Sequence, residues 1–269
     1  MTSSIDLDAY FARIQWRGAT MPTFETLAGI LRAHMRRIPF ENLDVLLGRG
    51  VRLDSDALQE KLVRSRRGGY CFEHATLFAD VLEALGFAPV RHSARVVLIA
   101  PRTASPRTHM FLTVPLAEGT FVVDPGFGAL APNAPVELVD ASQHDVVGRS
   151  HWMVRDGAYW TLRARTDDNV VDCWVTTIEA DNAIDFVVAN HYTSTHPDSA
   201  FVNRIMLRAL TDTGRIAVMN RDVTIRTGGA SRTMQLADRA ALRALLTEHF
   251  DFDLPEVEAL RVPSIDEWR

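Results

Sequence analysis

Cysteine is scarce: Cys71 and Cys173 are the only two in 269 residues. Two thiols cannot build a secreted disulfide framework, so a reducing compartment, the cytoplasm, is expected. Lysine is scarcer still. Lys61 stands alone, nearly all positive charge is arginine, and lysine-based catalysis is not expected. No apolar run approaches the roughly 20 residues that cross a bilayer. The opening Met-Thr-Ser-Ser-Ile-Asp-Leu-Asp has neither the basic start nor the apolar stretch of a signal peptide. There is no surplus of positive charge either. Lys plus Arg is 29 against Asp plus Glu 34, a net charge of −5, which excludes a protein living mainly on nucleic-acid phosphates. Repeats, low-complexity tracts and nucleotide-binding glycine loops are missing, and Gly126-Phe127-Gly128 is too short for a dinucleotide fingerprint. What is present is an ordinary globular balance, 47% apolar and 23% charged, long enough for two or three packed units.

Hydrophobic spacing divides the chain. Leu7, Tyr10, Phe11 and Ile14 form one helical stripe. Phe24, Leu27, Ala28, Leu31 and Met35 form another, with Thr23 as N-cap and Pro39 as stop. A short helix is expected at 57–63. Another begins near Cys71, with Phe78, Val81, Leu82 and Leu85 on one face and Gly86 as terminator. From about Val90 the period shortens. Runs at 92–99, 108–114, 120–123, 152–154, 159–165 and 171–178 read as strands of an antiparallel barrel or sandwich. Segments 204–210 and 215–219 read as a hairpin about 211–214, and 238–250 as a helix. The expected fold class is α+β in three parts: a helical domain over 1–86, a β-barrel domain over 87–184 and a mixed unit over 185–269.

The chemistry concentrates in Arg66-Arg67-Gly68-Gly69-Tyr70-Cys71-Phe72-Glu73-His74. Two glycines deliver a cysteine to the start of an apolar helix, where unpaired N–H groups and the positive end of the dipole favour thiolate. Cys173, inside a strand-like run, reads as a small core side chain. His109 opens one strand and Asp124 closes another, and short-connected antiparallel strands can set them side by side. With Cys71 they are expected to form a nucleophile, base and orienting carboxylate. His74, three residues after Cys71, has no second Cys/His pair to complete a zinc site, so no metal is expected. His191 and His196 read as flanking a solvated loop.

Five blocks in order make the sequence resemble the arylamine N-acetyltransferase family. They are Ile38-Pro39-Phe40-Glu41-Asn42-Leu43, Arg67-Gly68-Gly69-Tyr70-Cys71-Phe72-Glu73, Thr108-His109, Val123-Asp124-Pro125-Gly126-Phe127-Gly128 and Ser194-Thr195-His196-Pro197-Asp198-Ser199-Ala200-Phe201. The resemblance implies a helical domain, a barrel and a C-terminal α/β lid, with a cysteine-protease-like core of Cys71, His109 and Asp124. It implies ping-pong transfer from acetyl-coenzyme A, through an acetyl-cysteine thioester, to an arylamine or arylhydrazine. It further implies an ion pair of Arg67 with Glu41, an acceptor pocket lined by Phe40, Phe127 and Phe201, and coenzyme contacts at Thr108 and Gly128. Small-molecule partners are expected, with no nucleic acid and no membrane. The sequence departs from the pattern at Ala75, where many relatives carry asparagine. Three other readings stay open: a macrocycle-forming amide synthase, a transglutaminase-like or papain-like amidase, and a catalytically silent binding module.

Overall fold

A computed structural model describes residues 5–142, 148, 150–166, 169–211 and 213–268. Its first part is helical: α1 (Leu7–Ile14), α2 (Phe24–Arg37), α3 (Leu43–Leu46), α4 (Ser55–Leu58) and α5 (Cys71–Ala84). Side chains cap the helix starts. Asp6 accepts from the Ala9 amide at α1, Thr23 from Thr26 at α2, and Asp54 from Ala57 at α4. The helix expected at 57–63 is instead α4 followed by a wider π-helical turn, Gln59–Arg64, which carries Lys61. Helix α5 runs through the centre, with Phe72, Ala75, Leu77, Phe78, Ala79, Val81 and Leu82 all fully buried. A helix buried on all but one stripe, here Thr76, Asp80 and Glu83, needs little amphipathicity, which is why its apolar residues outrun a single face.

Seven antiparallel strands follow: β1 (Val90–Val96), β2 (His109–Leu116), β3 (Gly119–Val123), β4 (Val136–Glu137), β5 (His151–Asp156), β6 (Tyr159–Arg165) and β7 (Val170–Thr176). Their order is β4-β3-β2-β1-β7-β6-β5. The sheet curls until its edges meet, and the Ala141 amide donates to the Met153 carbonyl at 3.0 Å. This nearly closed barrel is filled by Ala94, Phe111, Val122, Met153, Leu162, Cys173 and Trp174. The two-residue β4 has no periodicity for sequence to reveal.

The last part contains α6 (Ala183–Thr195), α7 (Ala200–Asn203), β8 (Met206–Leu210), β9 (Gly214–Met219), β10 (Asp222–Thr227), β11 (Ala230–Gln235) and α8 (Arg239–His249). The loop expected between His191 and His196 is the last turn of α6. Its Ser194 and Thr195 hydroxyls are accommodated in the helix by bonding back to carbonyls one turn earlier. Strands β8 and β9 pair as expected, although residue 212 of their turn lies outside the described residues. They belong to a four-stranded meander. One face, with Leu207, Ala209, Ile216, Val218 and Val223, packs with Leu242, Leu245 and Leu246 of α8. Strand pairing sets Arg208, Arg215 and Arg226 on the opposite face.

One short segment ties these parts together. The Phe40 amide donates to the Arg208 carbonyl at 2.8 Å and the Arg208 amide returns to Phe40 at 2.9 Å. The Glu41 amide donates to Gly69, and the Gly69 amide donates to Pro39. Phe40 is thereby pinned between the turn that precedes Cys71 and the C-terminal sheet.

Candidate active site

Close backbone approach shapes the turn before Cys71. A Cβ on Gly68 would sit 2.0 Å from the Pro39 carbonyl oxygen, and one on Gly69 within 2.7–2.8 Å of Glu73. The Glu73 carboxylate turns back to accept from the Tyr70 amide at 3.0 Å, closing the first turn of α5, while its other oxygen receives Lys61 Nζ at 2.7 Å. Lys61 also meets Asp44 at 2.8 Å, and Arg67 meets Glu41 at 2.6 Å and Asp44 at 3.2 Å. The Arg67–Glu41 pair is therefore part of a larger cluster. Burial, with Glu41 adding to it against the pull of Lys61, raises the Glu73 carboxyl to about 6.

Cys71 is buried at the α5 N-terminus, with Sγ 3.8 Å from the Thr108 carbonyl. Asp124 lies just beyond the end of β3, one residue past the register that pairs Val123 with Leu112 of β2. His109, at the start of β2, donates from Nε2 to Asp124 Oδ2 at 2.8 Å. Trp174 Nε1 donates to the same oxygen at 2.9 Å, and the Gly126 amide donates to Oδ1 at 3.3 Å. Both His109 and Asp124 are buried. Burial opposes charge on His109, but the Asp124 carboxylate and its hydrogen bond outweigh it, with the Cys71 side chain adding to the same effect. The imidazole is raised from 6.5 to about 10.

The Asp-Pro-Gly turn is held hard against the nucleophile. A Cβ on Gly126 would meet Cys71 Cα at 2.6 Å and His74 Cβ at 3.2 Å. Gly126→Ala should therefore push the Asp124 turn away from α5. Because misplacement by about 1 Å can cost about 10²-fold, its Cys71 alkylation and turnover should both fall by about that factor. A variant within twofold of the wild type would show that the contact has slack.

Phe127 meets His109 edge-on at 4.9 Å between ring centroids, Phe40 lies 6.3 Å from Phe201, and Phe201 lies 5.3 Å from Tyr70. All three phenylalanines are part-buried. Gly128 adopts φ +64°, and a Cβ there would approach the Phe40 ring at 3.7 Å. The Thr108 carbonyl faces Cys71 Sγ, so Thr108, Gly128 and the three phenylalanines neighbour the Cys71, His109 and Asp124 group.

His74 is taken up in a buried chain of side-chain hydrogen bonds. Tyr10 Oη bonds His34 Nδ1 at 2.8 Å, His34 Nε2 bonds His74 Nδ1 at 2.8 Å, and His74 Nε2 reaches the Pro39 carbonyl at 3.1 Å. The Pro39 carbonyl requires a donor, so His74 carries its proton on Nε2. His34 then donates to His74, and Tyr10 donates to His34. Burial lowers His74 to about 4 and His34 well below its ordinary value, so both rings stay neutral. The chain braces α1, α2 and α5 against the Phe40 segment. Ala75 is fully buried, and Cys173 sits in the barrel core, where burial raises its thiol to about 12.

A family profile described as N-acetyltransferase matches residues 23–259. The arylamine N-acetyltransferase of Mycobacterium tuberculosis (strain ATCC 25618 / H37Rv) is 38% identical over 259 residues, covering 94% of this chain and 92% of that protein. The chain belongs to the arylamine N-acetyltransferase family. Another arylamine N-acetyltransferase, from Escherichia coli K12, is 35% identical over 254 residues, covering 94% and 90% of the two chains. The structure of the Mycobacterium marinum arylamine N-acetyltransferase in complex with CoA superposes with a TM-score of 0.86 at 35% identity, covering 94% of each chain. Sequence reasoning missed Trp174, whose indole N–H shares Asp124 with His109. Its only sequence signal was its place beside Cys173 in a run that reads as core. Among the described residues, no helix is long and apolar enough to cross a membrane, and no cluster of His, Cys, Asp or Glu could hold a metal ion.

Proposed function

We propose that this protein transfers an acetyl group from acetyl-coenzyme A to arylamines and arylhydrazines through an acetyl-Cys71 thioester. The observation that carries this reading is the buried bond between His109 Nε2 and Asp124 Oδ2. It leaves the rest of the imidazole for Cys71, whose side chain reinforces the His109 charge. A protonated His109 at neutral pH favours sulfur as thiolate.

The thiolate attacks the acetyl carbonyl and forms a new C–S bond as the bond to coenzyme sulfur breaks. His109 gives its proton to the departing coenzyme A thiolate. In the second half-reaction the arylamine nitrogen attacks the thioester, His109 takes the amine proton, and Cys71 leaves as thiolate. An aromatic amine is a weak base, so its lone pair is free at pH 7. Phe40, Phe127 and Phe201 supply an apolar wall for its ring, and Thr108 and Gly128 border the donor's path. In this scheme residues 1–86 carry the nucleophile, 87–184 the acid–base pair and 185–269 a lid. A free thiol nucleophile suits a reducing compartment such as the cytoplasm.

Intact-protein mass after mixing with acetyl-coenzyme A tests the reading. The wild type should gain one acetyl group, Cys71→Ala none, and a neutral arylamine such as 4-methylaniline should discharge the adduct. A reactive Cys71 that takes no acetyl group would turn the assignment toward an amide synthase or amidase.

A further inference from the structure

Asp124 is reached from inside the barrel by one further side chain. Trp174 Nε1 donates to Asp124 Oδ2 at 2.9 Å, the same oxygen that takes His109 Nε2 at 2.8 Å. The indole is fully buried. It stacks on Phe111 at 4.3 Å between centroids and 24° between planes, and lies 6.2 Å from the His109 ring.

Strand β7 is irregular beside this residue. Leu162 of β6 pairs with Trp174, but the next residue, Arg163, pairs with Asp172, so Cys173 is an extra residue with no partner on β6. In a regular strand neighbouring side chains point to opposite faces, yet Cys173 and Trp174 are both fully buried in the barrel core. A bulge of this kind re-aims a side chain. On its other edge the strand stays tied to β1. Val96 pairs with Trp174, and the Val97 amide donates to the Cys173 carbonyl at 3.0 Å. The indole is therefore fixed by two neighbouring strands and a ring stack, none of which involves Asp124.

The carboxylate is otherwise weakly restrained. Among the described residues its third donor is the Gly126 amide, 3.3 Å from Oδ1 and only two residues on in the same turn. His109 is the ring that the carboxylate must orient, so it cannot also be the fixed reference. A triad carboxylate works by holding the imidazole in one tautomer and one orientation. The outer partners of such a group set how precisely it can do so. Trp174 is the one partner whose own position is set by other elements.

We propose that Trp174 is a positioning residue for acetyl transfer, its indole N–H fixing the Asp124 carboxylate and, through it, the His109 ring. This rests on the acetyl-transfer reading and deepens it by a residue that acts through Asp124 alone. The bulge at Cys173 is the backbone device that aims the indole.

The test separates the N–H from the ring. Replacing Trp174 by 3-benzothienylalanine keeps both rings and puts sulfur in place of the N–H. Trp174→Phe removes the N–H with part of the ring, and Phe111→Leu removes the stack but leaves the N–H. Single-turnover acetylation of Cys71 should slow about tenfold in both Trp174 variants, the lower end of what one hydrogen bond to a charged group supplies. The loss should be equal with acetyl-coenzyme A and p-nitrophenyl acetate, because it acts on His109 and not on donor binding. Phe111→Leu should lose stability but little rate. In proton NMR spectra of the resting protein, the far-downfield proton between His109 and Asp124 should move in both Trp174 variants and keep its place in Phe111→Leu. A benzothienyl protein that acetylates at the wild-type rate would overturn the proposal, leaving the ring a packing group only. A slow one with an unmoved resonance would overturn it too, as would a loss confined to acetyl-coenzyme A. Iodoacetamide alkylation of Cys71 at pH 7 needs no acetyl donor and should slow in the benzothienyl protein by a similar factor. It decides the role of Trp174 even if wild-type Cys71 takes no acetyl group, a failure that would sink the transfer reading alone.

Discussion

Asp124→Asn should slow acetylation of Cys71 by about 10³- to 10⁴-fold while leaving the protein folded, the scale seen when a triad carboxylate becomes an amide. All three groups facing Asp124 are donors: His109 Nε2–H and Trp174 Nε1–H at one oxygen, and the Gly126 amide at the other. A carboxylate accepts at both oxygens, whereas an asparagine must turn its own NH₂ toward one set of donors. Turned toward Gly126 it strains the turn packed on Cys71; turned inward it repels His109 and Trp174. Either way the negative charge that holds His109 protonated is gone. Wild-type His109 has a folded-state pKa of about 10, above its ordinary 6.5. The stability from its pairing is therefore complete below about pH 6.5 and lost as pH rises through 10. Iodoacetamide at pH 7 should alkylate Cys71 more slowly in Asp124→Asn than in the wild type, because His109 no longer holds its proton beside the sulfur. Equal rates would remove Asp124 from the activation of Cys71.

The second large effect concerns stability. Lys61→Met should lower the unfolding free energy by about 3–5 kcal/mol, the scale for breaking a buried ion pair by removing one partner. Lys61 holds Glu73 at 2.7 Å and Asp44 at 2.8 Å, with Glu41 4.0 Å away. Without it, Arg67 and, at the edge, Arg49 3.6 Å from Asp44 are left with three carboxylates. At about 2–4 °C per kcal/mol, calorimetry should show the midpoint falling by about 6–20 °C. The loss should shrink on acidification. Glu73 is raised to about 6 in the folded state, above its ordinary 4.5, so the cost of ionising it grows as pH rises through that window and is relieved below it. A Tm unchanged at pH 7 and insensitive to pH would mean that the cluster holds nothing together. Glu73 also caps the Tyr70 amide, so Cys71 alkylation should slow in the same variant.

The helices and strands legible in the sequence were those whose burial has a period. Leu27, Ile30 and Leu31 mark α2, and Leu242, Leu245 and Leu246 mark α8. Helix α6 was hidden because its pattern is inverted. Phe186, Asn190 and Thr193 face inward, whereas Ile184, Val187 and Val188 stand in solvent. Strand β11 is exposed along its whole length and is held by its ladder to β10, so no alternation records it. At the site, Cys71, His109 and Asp124 could be named because each sits at an element end within a local motif. Trp174 could not. Its partner Asp124 is 50 residues away in sequence, and only the pairing of strands brings the two together.

Lys61 has one more consequence. Of 29 basic side chains it alone is a primary amine, and it is spent inside the carboxylate cluster, 17% exposed and held protonated by Glu73, Glu41 and Asp44. Arginine cannot lose its proton at neutral pH and does not compete for acyl groups. A protein that handles activated acetyl groups therefore presents no reactive ε-amine of its own to be acylated by accident. Acyl donors and amine-directed labels will find almost nothing on its surface to modify.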